Sequence, residues 1–229
     1  MPGQKVRYFS KEKKQTSVAK IARKEARKVL SSKAETKAVG KQLAGSPTVP
    51  AQALFHNKVF YLSNLLNTSQ GVTDPNDYSS AAARIGDEIL LTNMNVRFMM
   101  SALQPNVTYK ACLFWYTAGV TLADAIVYFT QGNKLLDRYN TEQIAIIDQK
   151  IVAPNIGPLP ADDANPRRSR LVNLNGNWKM KKIKYNEGTG TPRFKDIGLV
   201  VVAYDSINTL QTTQIAEMVY DFKLKFKDI

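Results

Sequence analysis

Near the end of the chain, Met218, Tyr220, Phe222, Leu224 and Phe226 alternate with Glu217, Val219, Asp221, Lys223, Lys225 and Lys227. One parity is wholly apolar and the other mostly charged. Successive side chains of a strand leave opposite faces, so the pattern dictates a long antiparallel strand with one buried and one wet face. Leu90, Met94, Val96, Phe98 and Met100 alternate in the same way with Asn93, Asn95 and Arg97. Val107, Tyr109, Ala111, Leu113 and Trp115 alternate with Thr108, Lys110, Cys112, Phe114 and Tyr116. Here both parities are bulky, which predicts a strand covered on both sides. The run from Ile197 to Tyr204 is nearly all apolar and β-branched, and reads as a central strand or one lying in a subunit contact.

Strands are predicted over 57–65, 87–101, 107–117, 142–152, 170–174, 177–186, 196–205 and 214–228. The phase slips within 178–185, where Trp178 and Met180 share a parity that Ile183 and Tyr185 do not, so a bulge is expected near Lys181 and Lys182. Residues 121–129 are the one short helix candidate past residue 54. The connections 66–86, 118–141 and 153–169 are long and hold most of the Pro, Asn, Asp and Gly there; loops of that length are uncommon unless they do something. Eight strands joined alternately by short turns and long excursions predict an all-β fold: a single eight-stranded antiparallel jelly-roll sandwich.

Charge divides the chain. Thirteen of its 32 Lys and Arg residues fall in the first 45 positions against three acids, a net +10, which leaves +3 for the other 184 residues. The expected organisation is a basic, mostly disordered N-terminal arm over 1–45 and a folded domain over 46–229, ordered from about Leu54 after Gly40, Gly45, Pro47 and Pro50. Within the arm, Thr16 can cap a helix reaching about Leu30, with Val18, Ile21, Ala22, Ala26, Val29 and Leu30 as a thin apolar stripe. Like-charge repulsion is expected to keep that helix from persisting until phosphates screen it.

A cationic arm of this kind points to a polyanion, because each neutralised phosphate releases a counterion. Candidate nucleic-acid-binding residues are Lys5, Arg7, Lys11, Lys13, Lys14, Lys20, Arg23, Lys24, Arg27, Lys28, Lys33, Lys37 and Lys41. The pairs Lys13-Lys14, Arg23-Lys24 and Arg27-Lys28 also fit a two-part nuclear-import pattern. A second cluster joins Lys179, Lys181, Lys182 and Lys184 to Trp178 and Tyr185, cations for backbone beside rings that can stack on unpaired bases. The bland alternative there is a solvated strand face with Trp178 in the core. Arg167, Arg168 and Arg170 are assigned to the same surface.

Nothing in the sequence points to catalysis, and no cofactor or metal is expected. His56 and Cys112 are the single histidine and the single cysteine, so no intrachain disulfide forms, and a thiolate- or histidine-rich zinc site is excluded by count. Cys112 in mid-strand reads as a buried inert thiol. The pairs Asp87-Glu88 and Asp162-Asp163 read as loop acids. Gly188 and Gly190 within 187–192 read as a β-turn, because the Lys-Ser/Thr ending of a phosphate loop is lacking. No apolar run reaches the roughly 18 residues of a membrane span, and no signal peptide or membrane contact is expected.

Several stretches resemble capsid proteins of small circular single-stranded DNA viruses, the circovirus-like group whose genomes also encode a replication initiator. D-I-G-L-V-V-V-A-Y-D-S-I (196–207) followed by A-E-M-V-Y-D-F-K-L-K-F-K-D (216–228) resembles their last two strands. G-D-E-I-L-L-T-N-M-N-V-R-F (86–98) resembles an early strand, and W-K-M-K-K-I-K-Y (178–185) a basic inner one. The arm departs from the Arg-dense arms of circoviruses in being Lys-richer and diluted with Ala, Ser and Glu. The resemblance implies a viral structural protein that self-assembles as a homo-oligomer into an icosahedral shell. Its arm would line the interior and package the single-stranded DNA genome. It further implies a virion component that passes through the host nucleus, with import receptors and a host-cell receptor as partners. The same physics would serve the coat of a single-stranded RNA virus, and a cellular nucleic-acid-binding β-sandwich module is the alternative outside viruses.

Overall fold

The computed structural model describes residues 18–26, 29, 34, 36–42, 49–71, 83–130, 132–153, 168–207 and 209–228. The alternation that ends the chain becomes β9 (Gln214–Asp228), with Met218, Phe222, Leu224 and Phe226 buried and Asp221, Lys223 and Lys225 exposed. Before it come β1 (Thr36–Gln42), β2 (Gln52–Phe55), β3 (Val59–Leu62), β4 (Glu88–Ala102), β5 (Val107–Thr117), β6 (Ala145–Val152), β7 (Arg168–Lys184) and β8 (Lys195–Asp205). A helical segment, α1, covers 18–26, and a one-turn helix, α2, covers Asp124–Val127.

All pairings between these strands are antiparallel. One sheet runs β1–β9–β4–β7, with β2 also on β9; the other runs β3–β8–β5–β6. β1 pairs with Asp221 to Lys227 and β2 with Gln214 to Met218, so the two share one strand position. Counted that way the sandwich has eight positions, ordered 1-8-3-6 and 2-7-4-5, the interleaving that defines a jelly roll. The expected fold class holds.

The core lies between the sheets. Met94, Val96, Phe98 and Met100 of β4, with Phe222, Leu224 and Phe226 of β9, meet Leu113 and Trp115 of β5 and Leu199 and Val201 of β8. Burying each such side chain contributes about 1.5–3 kcal/mol relative to exposure. The second sheet is covered on its other face too. There Cys112, Phe114, Tyr116, Val200 and Val202 pack under Val127, Tyr128, Tyr139 and Ile144 from the connection between β5 and β6. The doubly bulky β5 and the apolar β8 therefore sit where their patterns place them, both in the middle of their sheet.

Three expectations need correction. Sheet pairing begins at Thr36, inside the segment expected to be an arm and well before Leu54; Lys37 and Val39 supply an inward parity that Gly40 and the flanking cations disguise. The stretches 170–174 and 177–186 are parts of one continuous strand, because Asn175 and Asn177, turn formers by propensity, are held by Asn95 and Asn93 across the sheet. The bulge sits slightly earlier than Lys181-Lys182. Leu91 faces Lys181 and Asn93 faces Asn177, so Trp178, Lys179 and Met180 stand against Thr92 alone, with Met180 at φ 59°.

Candidate nucleic-acid interface

Of the segment expected as the arm, 18–26 and 29 are helical, within the expected span from Thr16 to Leu30 whose other residues lie outside the described ones, and 36–42 form β1. Lys20, Arg23 and Lys24 are exposed on α1. Its apolar stripe meets no core: Val18, Ile21 and Val29 are 64%, 61% and 53% exposed. Lys5, Arg7, Lys11, Lys13, Lys14, Arg27, Lys28 and Lys33 lie outside the described residues; of the arm expected to be mostly disordered over 1–45, the helix at 18–26 and β1 are ordered.

Lys37 does not join that set. It is buried in β1, with its ammonium 2.8 Å from the Asp228 carboxylate and donating at 2.8 Å to the Ala83 carbonyl. A cation already satisfied inside the domain is a structural tie, and its assignment as a phosphate contact is corrected. Lys41 falls in the same strand, opposite Phe222.

The second cluster is divided by the strand that carries it. Lys182 and Lys184 both pair with Glu88, Lys184 at 3.0 Å, and these contacts hold the Glu88 carboxyl below the usual range, the Lys182 hydrogen bond most of all. Lys181 turns inward, its ammonium 3.8 Å from the centroid of the Trp115 ring in a cation–π contact, while burial, and then the neighbouring Lys195 charge, lowers its pKa. Trp178 packs edge-to-face on Trp115 at 5.4 Å and joins the interior cluster, which favours the core over base stacking for this ring. Tyr185 is buried, its hydroxyl donating to the Leu66 carbonyl. Lys179, Lys182 and Lys184 are all exposed, Lys179 in the bulge and the other two beside Glu88.

The arginines belong elsewhere. Arg170 is half-buried opposite Met100 and Arg168 stands opposite Ala102, at the far end of β7. At about 3.3 Å per residue, that end is roughly 30–40 Å from Lys182. Arg167 lies outside the described residues. A single surface holding both clusters is therefore corrected.

Cations missed as a site stand on the open face of the first sheet. Lys223 and Lys225 of β9 are exposed there, beside Asn95 and Asn93 of β4, and Arg97 is exposed opposite Asp221. The signal was in the alternation that located β9: its wet parity is cationic toward the C-terminal end.

The single histidine and the single cysteine do not form a site together. Cys112 faces Val200 in the outer cluster, where burial pushes its thiol up to about 12. His56 bridges to Ala203 and accepts from the Asp205 backbone N–H at 3.1 Å. Asp87 pairs with Arg84 at 3.1 Å, Asp162 and Asp163 lie outside the described residues, and the segment after β7 turns at Gly188, φ 68°. Among the described residues no group of three or more acidic, His or Cys side chains is placed to hold a metal ion. No described helix is long and apolar enough to cross a membrane.

No family model matches the chain, and no curated protein matches it. Among solved structures, the chain has a likeness to a CocE/NonD family hydrolase from Staphylococcus aureus, at 11% identity and a TM-score of 0.26. The match covers 85% of this chain and 37% of that one, and a likeness so slight carries no argument about fold or function.

Proposed function

We propose that this chain is a structural coat protein that assembles into a closed icosahedral shell and holds a single-stranded DNA genome through its cationic N-terminal segment. The observation that carries the reading is connectivity: residues 1–35, with eleven Lys and Arg against three acids and a net charge of +8, run directly into β1, the strand beside the exposed lysines of β9 in a jelly roll. Such a fold hosts many functions, so the reading leans on the charge placement and the surface as well as on topology.

The surface supports assembly. Leu136 and Phe129, in the connection over the second sheet, are 78% and 67% exposed, and Leu171 on the edge strand β7 is 70% exposed. An exposed apolar side chain on an open sheet edge, and others on the connection over the second sheet, are available to repeating contacts between identical subunits. The proposed role is structural rather than catalytic. Virion location, passage through the host nucleus, and import and host-cell receptors belong to the same proposal.

Electron microscopy of the purified full-length protein tests it. Uniform closed shells are expected; a monodisperse monomer or trimer at both low and high salt would move the reading to a cellular nucleic-acid-binding module.

A further inference from the structure

We infer that the open face of the first sheet is itself a binding track for single-stranded nucleic acid, gripping the phosphodiester backbone through a grid of lysines and asparagine amides. The inference rests on the reading that a nucleic acid is the chain's partner, but does not need the shell.

The grid has two rows. In one, Ala38 of β1, Lys225 of β9, Asn93 of β4 and Asn177 of β7 are in register; in the next, Gly40, Lys223, Asn95 and Asn175. Neighbouring columns are about 4.8 Å apart and the rows about 6.8 Å. The row spacing is comparable to one covalent nucleotide repeat of an extended strand. The small Ala38 and Gly40 leave the lysines' flank open.

The amides are oriented. Asn93 Nδ2 donates to Asn177 Oδ1 at 2.7 Å and to the Gly176 carbonyl at 3.2 Å, and Asn95 Nδ2 donates to Asn175 Oδ1 at 2.5 Å. With their carbonyls engaged, Asn175 and Asn177 present exposed amide nitrogens that have no acceptor among the described residues. Lys223 and Lys225 likewise have no ion-pair partner there, unlike Lys182 and Lys184. Donors and cations thus point to an anion with repeating acceptor oxygens. Asn93, Asn95, Arg97, Met99, Val219 and Leu171 carry no aromatic ring onto this face, so it lacks the base-stacking platform of sequence-reading sheets. The bases have nothing here to read them.

The test is the salt dependence of binding to a labelled oligodeoxythymidylate and to its abasic counterpart, using the full-length chain. K223Q/K225Q should reduce the slope of log affinity against log salt by about 1.4, or about 0.7 per lysine. The same reduction is expected on a background with Lys20, Arg23 and Lys24 changed to Gln, for both probes, and K223R/K225R should restore the slope. N175D/N177D, which adds charge without removing a lysine, should weaken binding and covers the case in which the first variant fails to fold. An unchanged slope, or a loss confined to the probe that carries bases, would overturn the track. Loss of self-association with an unchanged slope would overturn it too and make the face a contact between copies of this chain. Shell formation is scored separately by microscopy: absent shells with a reduced slope would overturn the coat reading and leave the track standing.

Discussion

Lys37 Nζ lies 2.8 Å from Asp228 Oδ2, tying the first strand of the sandwich to the end of the last. The two side chains are 4% and 12% exposed, so neither charge is well solvated. Removing one partner of a buried pair strands the other, at a cost of about 3–5 kcal/mol, whereas replacing both by apolar groups is often close to neutral. K37M should therefore lower unfolding stability by an amount in that range, and K37M/D228L should recover most of it. A urea-denaturation double-mutant cycle reads the coupling; additive losses would show that the pair is not a tie.

The same contact changes what truncation does. Removing residues 1–33 takes away most of the cationic segment and spares β1, so the domain should keep its unfolding midpoint and bind nucleic acid far more weakly, keeping only the share that Lys223 and Lys225 contribute. Removing 1–45 also deletes β1, uncovers the Asp221–Lys227 edge of β9 and leaves Asp228 without Lys37. That shorter protein should unfold at lower temperature than the first. Calorimetry on the two truncations separates these effects.

Gly176 makes room for Trp178. A Cβ at Gly176 would lie 2.3 Å from the tip of the Trp178 indole and 2.9 Å from Ile147 Cγ2. Overpacking of this kind costs about 1–3 kcal/mol. G176A should lose about that much stability and shift tryptophan fluorescence as the Trp178–Trp115 contact opens. An unshifted spectrum would mean that the ring is not confined there.

Asp196 is buried at the start of β8, where its Oδ1 accepts backbone N–H groups from Leu66 at 3.0 Å and Ile197 at 2.6 Å. Burial outweighs those bonds and pushes its carboxyl up to about 6. Between about 4 and about 6, the folded protein then binds more protons than the unfolded chain, so this group's contribution to stability falls as pH rises through that window. D196N removes the titration. Its thermal midpoint should vary less with pH across the window than the wild type's, and an identical pH dependence would refute the assignment.

The sandwich was legible because its long strands carry strand texture over 11–15 residues, alternating in β9 and most of β4 and apolar on both parities in β5 and β8. All four match their expected spans to within about a residue, although β4's inward parity slips from Leu91 to Met94 at a bulge. Two short strands, β1 and β2, escaped, and the long β7 was read as two pieces, for local reasons. β1 alternates over a few residues only, among Gly, Ala and Lys, and its pairing depends on β9, distant in sequence. Asn-Gly-Asn at 175–177 reads as a turn by propensity and is overridden by cross-strand amide bonds. The basic cluster on β7 was found as a cluster but not as a geometry, since the bulge at 178–180 sends Lys181 inward and leaves Lys182 on the side of Glu88. Arg84 was not singled out at all. It is fully buried with its guanidinium 4.2 Å from the Tyr185 ring centroid and donating to the Gly86 and Thr189 carbonyls. Its partners come from two loops whose meeting no local pattern encodes.

The most direct measurement is sedimentation velocity of the full-length protein with absorbance followed at 260 and 280 nm, beside the variant lacking residues 1–33. The account predicts a single fast-sedimenting species with excess 260 nm absorbance for the full chain, and a similarly fast species with much less of that excess for the variant. A slow species of one to three subunits, or equal 260 nm excess in both proteins, would contradict it.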